Sequence, residues 1–328
     1  MIIITGATGH IGNVVVKKLV KQGYQVGIVT HKRSASDIFQ GYDLTEYNGS
    51  TNDINFLEKI FTGSEAVIHL AAKISIQQGQ FQELHEINVV GTRNVMQAAL
   101  KAKVPKVVYT SSVHALLEKP IGEVMTEIVP DDANDVLGDY AKSKVMAYHE
   151  VIKAFKQGLN VTILFPAGVI GPFDYKPSQI GQMIKNILAG KRNYYFDGKY
   201  NYVDVRDVAD GIITALDKGE AGVGYSLTGE IASVADFYQI ISDELKQQIP
   251  VIKINSKVAY AISFITEFIA KVTKSTALFT PYSYKVLQSN CQFSNAKAVD
   301  KLGFKPRTIK DSLIDAVKWH QGNEVSLD

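Results

Sequence analysis

The chain of 328 residues holds one cysteine, one tryptophan and nine prolines. A single thiol, Cys291, leaves no internal disulfide to form, so stability has to come from a packed core, and a reducing compartment is implied. No basic group flanks Cys291, which reads as a small apolar core residue rather than a nucleophile. An excess of one charge is missing too. Thirty-five basic against 33 acidic residues leave +2, and that gives neither nucleic acid nor an acidic membrane a reason to bind. The seven histidines show no metal-ligand spacing, so no metal is expected.

Long hydrophobic runs are absent as well. The opening MIIIT has no basic segment before it and is too short for a signal peptide. In KVAYAISFITEFIAKV, residues 257–272, the longest uncharged run is Val258–Thr266, well short of the ~20 residues that span a bilayer. Val258, Ile262, Ile265, Ile269 and Val272 recur there at helical spacing, which predicts a core-facing helix, with a membrane-surface or dimer contact as the alternative for so wide an apolar stripe. These absences together describe a soluble, cytoplasmic protein without a membrane span.

What is present is rhythm. Hydrophobic residues at 46% and charged residues at 21% are ordinary for a globular protein, and the length allows a large core. Ile2–Thr5, Gln25–Thr30, Ala66–Leu70, Lys106–Ser111 and Val161–Phe165 are short apolar runs that predict buried strands. Helix-period segments lie between them: Ile11–Lys21, Glu83–Lys101 and Tyr140–Lys156, with Gly23 and Gly158 as stop signals after the first and third. Continuous apolar strands alternating with helices predict an α/β fold, a doubly wound parallel sheet covered on both faces. The rhythm loosens after Pro166. We read residues 1–166 as a dinucleotide-binding domain and 167–328 as a smaller, mostly helical substrate lobe, with 201–220 returning to the first.

The first strand runs into TGATGHIG, residues 5–12, and then a helix. Glycine is needed where the chain turns sharply and where a pyrophosphate must approach the backbone, and the helix start adds free N–H groups and the positive end of its dipole. A strand before the loop and a helix after it are the context that makes a glycine triplet a dinucleotide site. With HLAA at 69–72, NVVGTRNVMQAA at 88–99, VVYTSSV at 107–113, YAKSK at 140–144, FPAGVIGP at 165–172 and FSNAKAVDKLGFKP at 293–306, the chain resembles the extended short-chain dehydrogenase/reductase family along nearly its whole length. Within it, the likeness is greatest to dihydroflavonol-4-reductase-like and 3β-hydroxysteroid-dehydrogenase-like proteins.

The resemblance implies a Rossmann fold, a nicotinamide cofactor and a Ser112–Tyr140–Lys144 relay. Cofactor contacts would come from Gly6, Thr8, Gly9, His10, Ile11 and Gly12 in the loop, Leu70, Ala71 and Ala72 after a later strand, Thr110, Tyr140, Lys144, and Pro166, Gly168 and Val169. The second strand ends in VTHKRS with no acid before Asp37. His31, Lys32 and above all Arg33 suit the 2′-phosphate of NADP, with NAD as the alternative.

Tyrosine has an ordinary pKa near 10, and exchanging a proton with substrate at neutral pH calls for a value nearer ~7. Lys144, one helical turn on from Tyr140, together with an oxidised nicotinamide, is expected to supply that drop of ~4 kcal/mol. Ser112 would hold the substrate oxygen, and Asn88 would order a water or backbone group near Lys144.

In this family, epimerases and dehydratases commonly continue the serine strand into V-Y-G or follow the serine with an Asp-Glu pair. Here the continuation is SSVHALLEKP, which favours an oxidoreductase acting on a small-molecule ketone, aldehyde or alcohol. The alternatives are a nucleotide-sugar epimerase, for which Lys176, Lys185, Lys191 and Arg192 are candidate diphosphate cations, and a non-catalytic NADP sensor. Substrate candidates are Lys73, His114, Phe173 and Tyr175; Tyr194, Tyr195 and Phe196 belong either to an apolar pocket or to the lobe's own core. The resemblance also implies a homodimer through the helices carrying Asn88 and Tyr140.

Overall fold

The computed structural model describes residues 1–31, 38–77, 79–273 and 279–328. β1 (Ile2–Thr5) leads to α1 (His10–Lys21), β2 (Val26–Thr30), β3 (Thr45–Asn48), α2 (Ile54–Phe61) and β4 (Ala66–His69). Next come α3 (Phe81–Leu84), a π-helical stretch (His85–Val90) and α4 (Gly91–Lys101), then β5 (Val107–Thr110), α5 (Asp139–Lys156) and β6 (Val161–Pro166). The remainder runs β7 (Gly168–Ile170), α6 (Gln179–Leu188), β8 (Asn193–Tyr195), β9 (Lys199–Asp204), α7 (Val205–Lys218), β10 (Gly224–Leu227) and β11 (Glu230–Ser233). It closes with α8 (Val234–Leu245), β12 (Val251–Lys253), α9 (Ser256–Thr273), α10 (Pro281–Gln288), α11 (Ala296–Leu302) and α12 (Ile309–His320).

Seven strands form the central sheet in the order β10-β6-β5-β4-β1-β2-β3, and all of its pairings are parallel. β1, β2, β4, β5 and β6 are buried at every position, as strands covered on both faces must be. α1 packs on α7, and α4 packs on α2 and α5. The strand order reverses at β1 and β4, the place where a doubly wound sheet opens a crevice at its C-terminal edge. Gly6, Leu70, Ser111 and Ala167 each follow a strand at that edge.

The stretch expected to rejoin this sheet, Asn201–Val205, does something else. β9 pairs with β7 and β11 in a separate three-stranded sheet. Its helix, α7, does lie on α1, and Lys18 bonds Asp210 across them at 2.7 Å. The seventh strand of the main sheet is β10, alongside β6. β3 and β10 are the two edges; TEYN has no apolar run, and GYSL is short and Gly-led, so neither carries a strand's usual hydrophobic signal.

α9 reverses the expectation set by its spacing. Its buried positions are Ala259, Ser263 and Ala270, while Val258, Ile262, Ile265, Ile269 and Val272 face outward.

A charged network ties α7 to the C-terminal region. Buried Arg206 pairs with buried Asp204 at 2.8 Å and with Asp315 at 2.8 Å, and Arg307 pairs with Asp207 at 2.8 Å. Burial pushes the Asp204 carboxyl up, but Arg206 and Arg307 more than reverse this and hold it below its ordinary value. Removing one partner of a buried pair strands the other charge, at a cost of about 3–5 kcal/mol. Arg206→Leu is therefore expected to lower the urea midpoint sharply, and adding Asp204→Asn should recover part of the loss. Equal midpoints for wild type and Arg206→Leu would contradict the network's role.

Candidate active site

The glycine loop is built tightly enough to exclude side chains. Gly6 has φ +76°, and a Cβ there would lie 2.5 Å from the Ala71 amide nitrogen; at Gly12 it would lie 2.2 Å from the Gly6 carbonyl oxygen. Gly9 caps α1 without a side-chain bond, so the first-turn amides stay available at the positive end of the helix. Thr5 Oγ1 holds His69 Nδ1 at 2.7 Å, locking the ends of β1 and β4 together beside Leu70, Ala71 and Ala72. A cradle that any Cβ would fill, set at a helix N-terminus, fits a dinucleotide pyrophosphate. The Thr110 hydroxyl at the end of β5 is buried with no hydrogen-bond partner among the described residues, as a group that meets a ligand would be. Pro166 closes β6, and Gly168 and Val169 open β7 directly after it. His31 lies exposed at the end of β2, whereas Lys32 and Arg33 lie outside the described residues.

Residues 172–176 close over this loop. His10 Nε2 sits 2.8 Å from the Pro172 carbonyl oxygen, the Asn13 amide donates to the Phe173 carbonyl at 3.1 Å, and Lys176 Nζ lies 3.5 Å from Thr8 Oγ1. Phe173 and Tyr175 thereby belong to a cluster with Trp319 and buried Lys17, whose ammonium donates to the Tyr175 hydroxyl at 2.7 Å. Neither lines the groove described below. Their expected substrate role gives way to packing, because the turn after Gly171 directs them toward α1. Lys73 pairs with Glu83 and is not in the groove lining either.

Ser112, Tyr140 and Lys144 come together at the C-terminal edge, all three buried. Ser112 ends the extended run after β5 and caps a short turn, accepting from the His114 amide at 3.2 Å. Tyr140 and Lys144 occupy the first two turns of α5, which begins at Gly138 with φ +90°. A Cβ at Gly138 would also strike the Tyr282 ring at 2.4 Å, so both the turn and the space require glycine. Lys144 Nζ donates to the Thr110 carbonyl at 3.3 Å and lies 5.6 Å from the centre of the Tyr109 ring. Asn88, on the π-helical stretch, bonds the Lys73 backbone from both sides and donates to Ser143 Oγ at 3.0 Å, which in turn bonds the Tyr140 carbonyl. Asn88 thus braces backbone and helix.

Burial governs the electrostatics. It pulls the Lys144 ammonium down to about 8. It pushes the Tyr140 phenol up to about 12, offset only in part by a hydrogen bond with Ser112. The expected drop rests on Lys144 together with an oxidised nicotinamide; in the chain alone the ammonium is held on the Thr110 carbonyl and desolvation dominates. His114 is pulled down to about 4 by burial and is neutral at physiological pH.

Beside Ser112 and Tyr140 opens a groove of about 460 Å³ including the solvent at its mouth, walled by Val113, Leu116, Met125, Val136, Leu137, Val286 and Phe293. Its polar groups are His114, Tyr200, Tyr282, Glu118, Ser289 and Asn290, and among the described residues its lining contains no lysine or arginine. His114 stands between two phenols: the Tyr200 hydroxyl is 3.1 Å from Nε2 and the Tyr282 hydroxyl 3.3 Å from Nδ1, with the Tyr140 ring edge-on at 5.7 Å. Tyr200 and Tyr282 escape a sequence reading because they lie far from the YAKSK motif in the chain; the alternation of Tyr200 and Tyr202 along β9 was the one available signal. Tyr195 and Phe196 pack instead within the lobe, against Tyr238 and against Phe279 and Tyr284, while Tyr194 is exposed.

Residues 2–228 match the NAD dependent epimerase/dehydratase family, and the chain belongs to it. It is an NAD(P)-dependent enzyme of the extended short-chain dehydrogenase/reductase type. It is 30% identical over 321 residues to sterol demethylase protein B of Methylococcus capsulatus, covering 97% of each chain. It is also 30% identical over 324 residues to a putative dihydroflavonol 4-reductase of Synechocystis, covering 98% of this chain and 94% of that protein. The crystal structure of gox2253 superposes with a TM-score of 0.84 at 30% identity over 98% of both chains.

A buried ammonium costs stability. With its folded pKa near 8 and an unfolded value near 10.4, Lys144 destabilises the cofactor-free protein fully below pH 8, and the cost fades as pH rises toward 10.4. Lys144→Met is expected to raise the thermal midpoint at pH 7, by an amount worth up to ~3 kcal/mol, and to lose this advantage by pH 10. A difference independent of pH would show that the ammonium is not desolvated.

Proposed function

We propose that the protein is an NADP(H)-dependent reductase that converts an uncharged, largely apolar ketone or aldehyde to its alcohol, or runs the reverse reaction. The groove supports this reading: Val113, His114 and Ala141, the near neighbours of Ser112 and Tyr140 in the chain, line it, its walls are aliphatic and aromatic, and its described lining holds Glu118 but no lysine or arginine. A nucleotide-sugar diphosphate placed there would lose its hydration without a cation to replace it. Lys176, one of the candidate diphosphate cations, instead stands over Thr8 in the glycine loop, where it would meet the cofactor's own pyrophosphate.

Bound NADPH would supply the hydride. Gly6, Gly9 and Gly12 with the first-turn amides of α1 would hold its pyrophosphate, Thr110 and Lys144 its ribose, and Arg33 and Lys32 its 2′-phosphate. Ser112 would hold the substrate oxygen beside the Tyr140 hydroxyl, and Tyr140 would donate the proton as negative charge develops on that oxygen. The phenolate left behind needs positive charge nearby, which Lys144 would provide from beneath. Tyr200 and Tyr282 would fix the neutral His114 ring as one wall of the groove, so that substrate contacts come both from the segment 113–141 and from the region after residue 167. The relay has no task in a protein that only senses NADP.

NADPH consumption, followed across a panel of aryl and alkyl ketones and aldehydes, tests the reading. Tyr140→Phe is expected to bind NADPH normally and lose at least ~10³-fold in turnover, and Ser112→Ala about 10²-fold. Interconversion of a UDP-sugar without net cofactor change would favour the epimerase reading and overturn ours. Equal affinity for NADPH and NADH, unaltered by Arg33→Ala, would remove the NADP assignment alone.

A further inference from the structure

α9 is built inside out. Its buried face is made of small residues, Ala259, Ser263 and Ala270, and Thr266 ties it down by donating to the Phe279 carbonyl at 2.6 Å. Its large apolar side chains point to solvent: Phe268 is 67% exposed, Val272 66% and Ile265 60%, with Val258, Phe264 and Ile269 each half exposed. A water-facing helix normally puts these groups inward and its charges outward. The exposed charged side chains on α9 are Lys257 and Lys271, one near each end. Its single acid, Glu267, lies on the half-buried side.

We propose that α9 is an interfacial helix that seats the protein on the surface of an anionic lipid bilayer. An apolar centre with cations at both ends is the pattern of a helix lying in the membrane plane: the hydrocarbon groups enter the headgroup boundary and the lysine stems extend toward phosphates. At about 27 Å and with no apolar stretch to match a bilayer's thickness, the helix lies on the membrane rather than crossing it. A second copy of the chain fits less well. The outward strip is about 27 Å by 10 Å, far below the ~800 Å² per partner of a standard interface. Pairing two such faces, parallel or antiparallel, also brings lysine to lysine with no exposed acid on the helix to answer it. Net charge gave no hint of this, because the positive charge is local. α10, which packs on α9, contributes Tyr282 and Val286 to the groove, so the bilayer surface would lie one helix away from the substrate's route.

Flotation of the full chain with vesicles tests the proposal without reference to its reaction. Wild type is expected to float with vesicles of phosphatidylglycerol and phosphatidylcholine, and more weakly with phosphatidylcholine alone. Ile265→Glu/Phe268→Glu should reduce binding to both at least tenfold while leaving the melting profile and NADPH binding unchanged. Lys257→Glu/Lys271→Glu should reduce binding to anionic vesicles only, down to the level seen with phosphatidylcholine. No flotation of wild type with either vesicle would overturn the proposal. So would sedimentation showing a wild-type dimer that Ile265→Glu/Phe268→Glu dissolves, since the face would then belong to a second copy.

Discussion

A lysine kept in a dry place beside a phenol is the constraint around which the rest is arranged. Lys144 is fully sheltered, and burial alone brings its ammonium within reach of neutrality. At about 8 it is still mostly charged at neutral pH, donating to the Thr110 carbonyl and lying 5.6 Å from the centre of the Tyr109 ring. Those contacts exist only because β5 ends where α5 begins to pack. The parallel sheet delivers Thr110, Ser112 and the glycine loop to one edge, and α5 lays Tyr140 and Lys144 across that edge on one helical face. In the cofactor-free chain the phenol is harder to ionise than free tyrosine, which keeps the site quiet until positive charge arrives above it.

The parts that hold this arrangement are not in the motif. Gly138 gives α5 its starting direction and leaves room for Tyr282. Asn88 reaches α5 from the π-helical stretch, where the extra residue in the turn changes the facing of the helix locally. His114 is wedged between Tyr200 and Tyr282, which come from a strand and a helix more than eighty residues away. Each depends on tertiary packing, and each bears on where a substrate can lie.

The buried strands and the glycine loop were legible because their signals are local: unbroken apolar runs, and glycines between a strand and a helix. The family resemblance brought Ser112 and Tyr140 onto one page, and the fold places them together. What escaped was set by distant partners. β3 is an exposed edge with little to bury, and β10, though buried, is a short Gly-led GYSL broken by serine, so neither has the apolar run that marks a strand. Phe173 and Tyr175 carry the right chemistry for a pocket, but Lys17 and Trp319 hold them on the far side of the glycine loop. The spacing in α9 is truly helical, yet spacing reports only that large residues share a face, not which way the face turns. Small residues at Ala259, Ser263 and Ala270 were the counter-signal. They let the helix sit close to its neighbours with its bulk outward.

The central claim is that Tyr140 becomes an acid of useful strength only when the cofactor's positive charge joins Lys144. Phenolate absorbance, taken as the difference between wild type and Tyr140→Phe, isolates this one tyrosine among 16. The account predicts a titration near pH 12 without cofactor and below about pH 9 with saturating NADP⁺. A titration that stays put when NADP⁺ binds would contradict it.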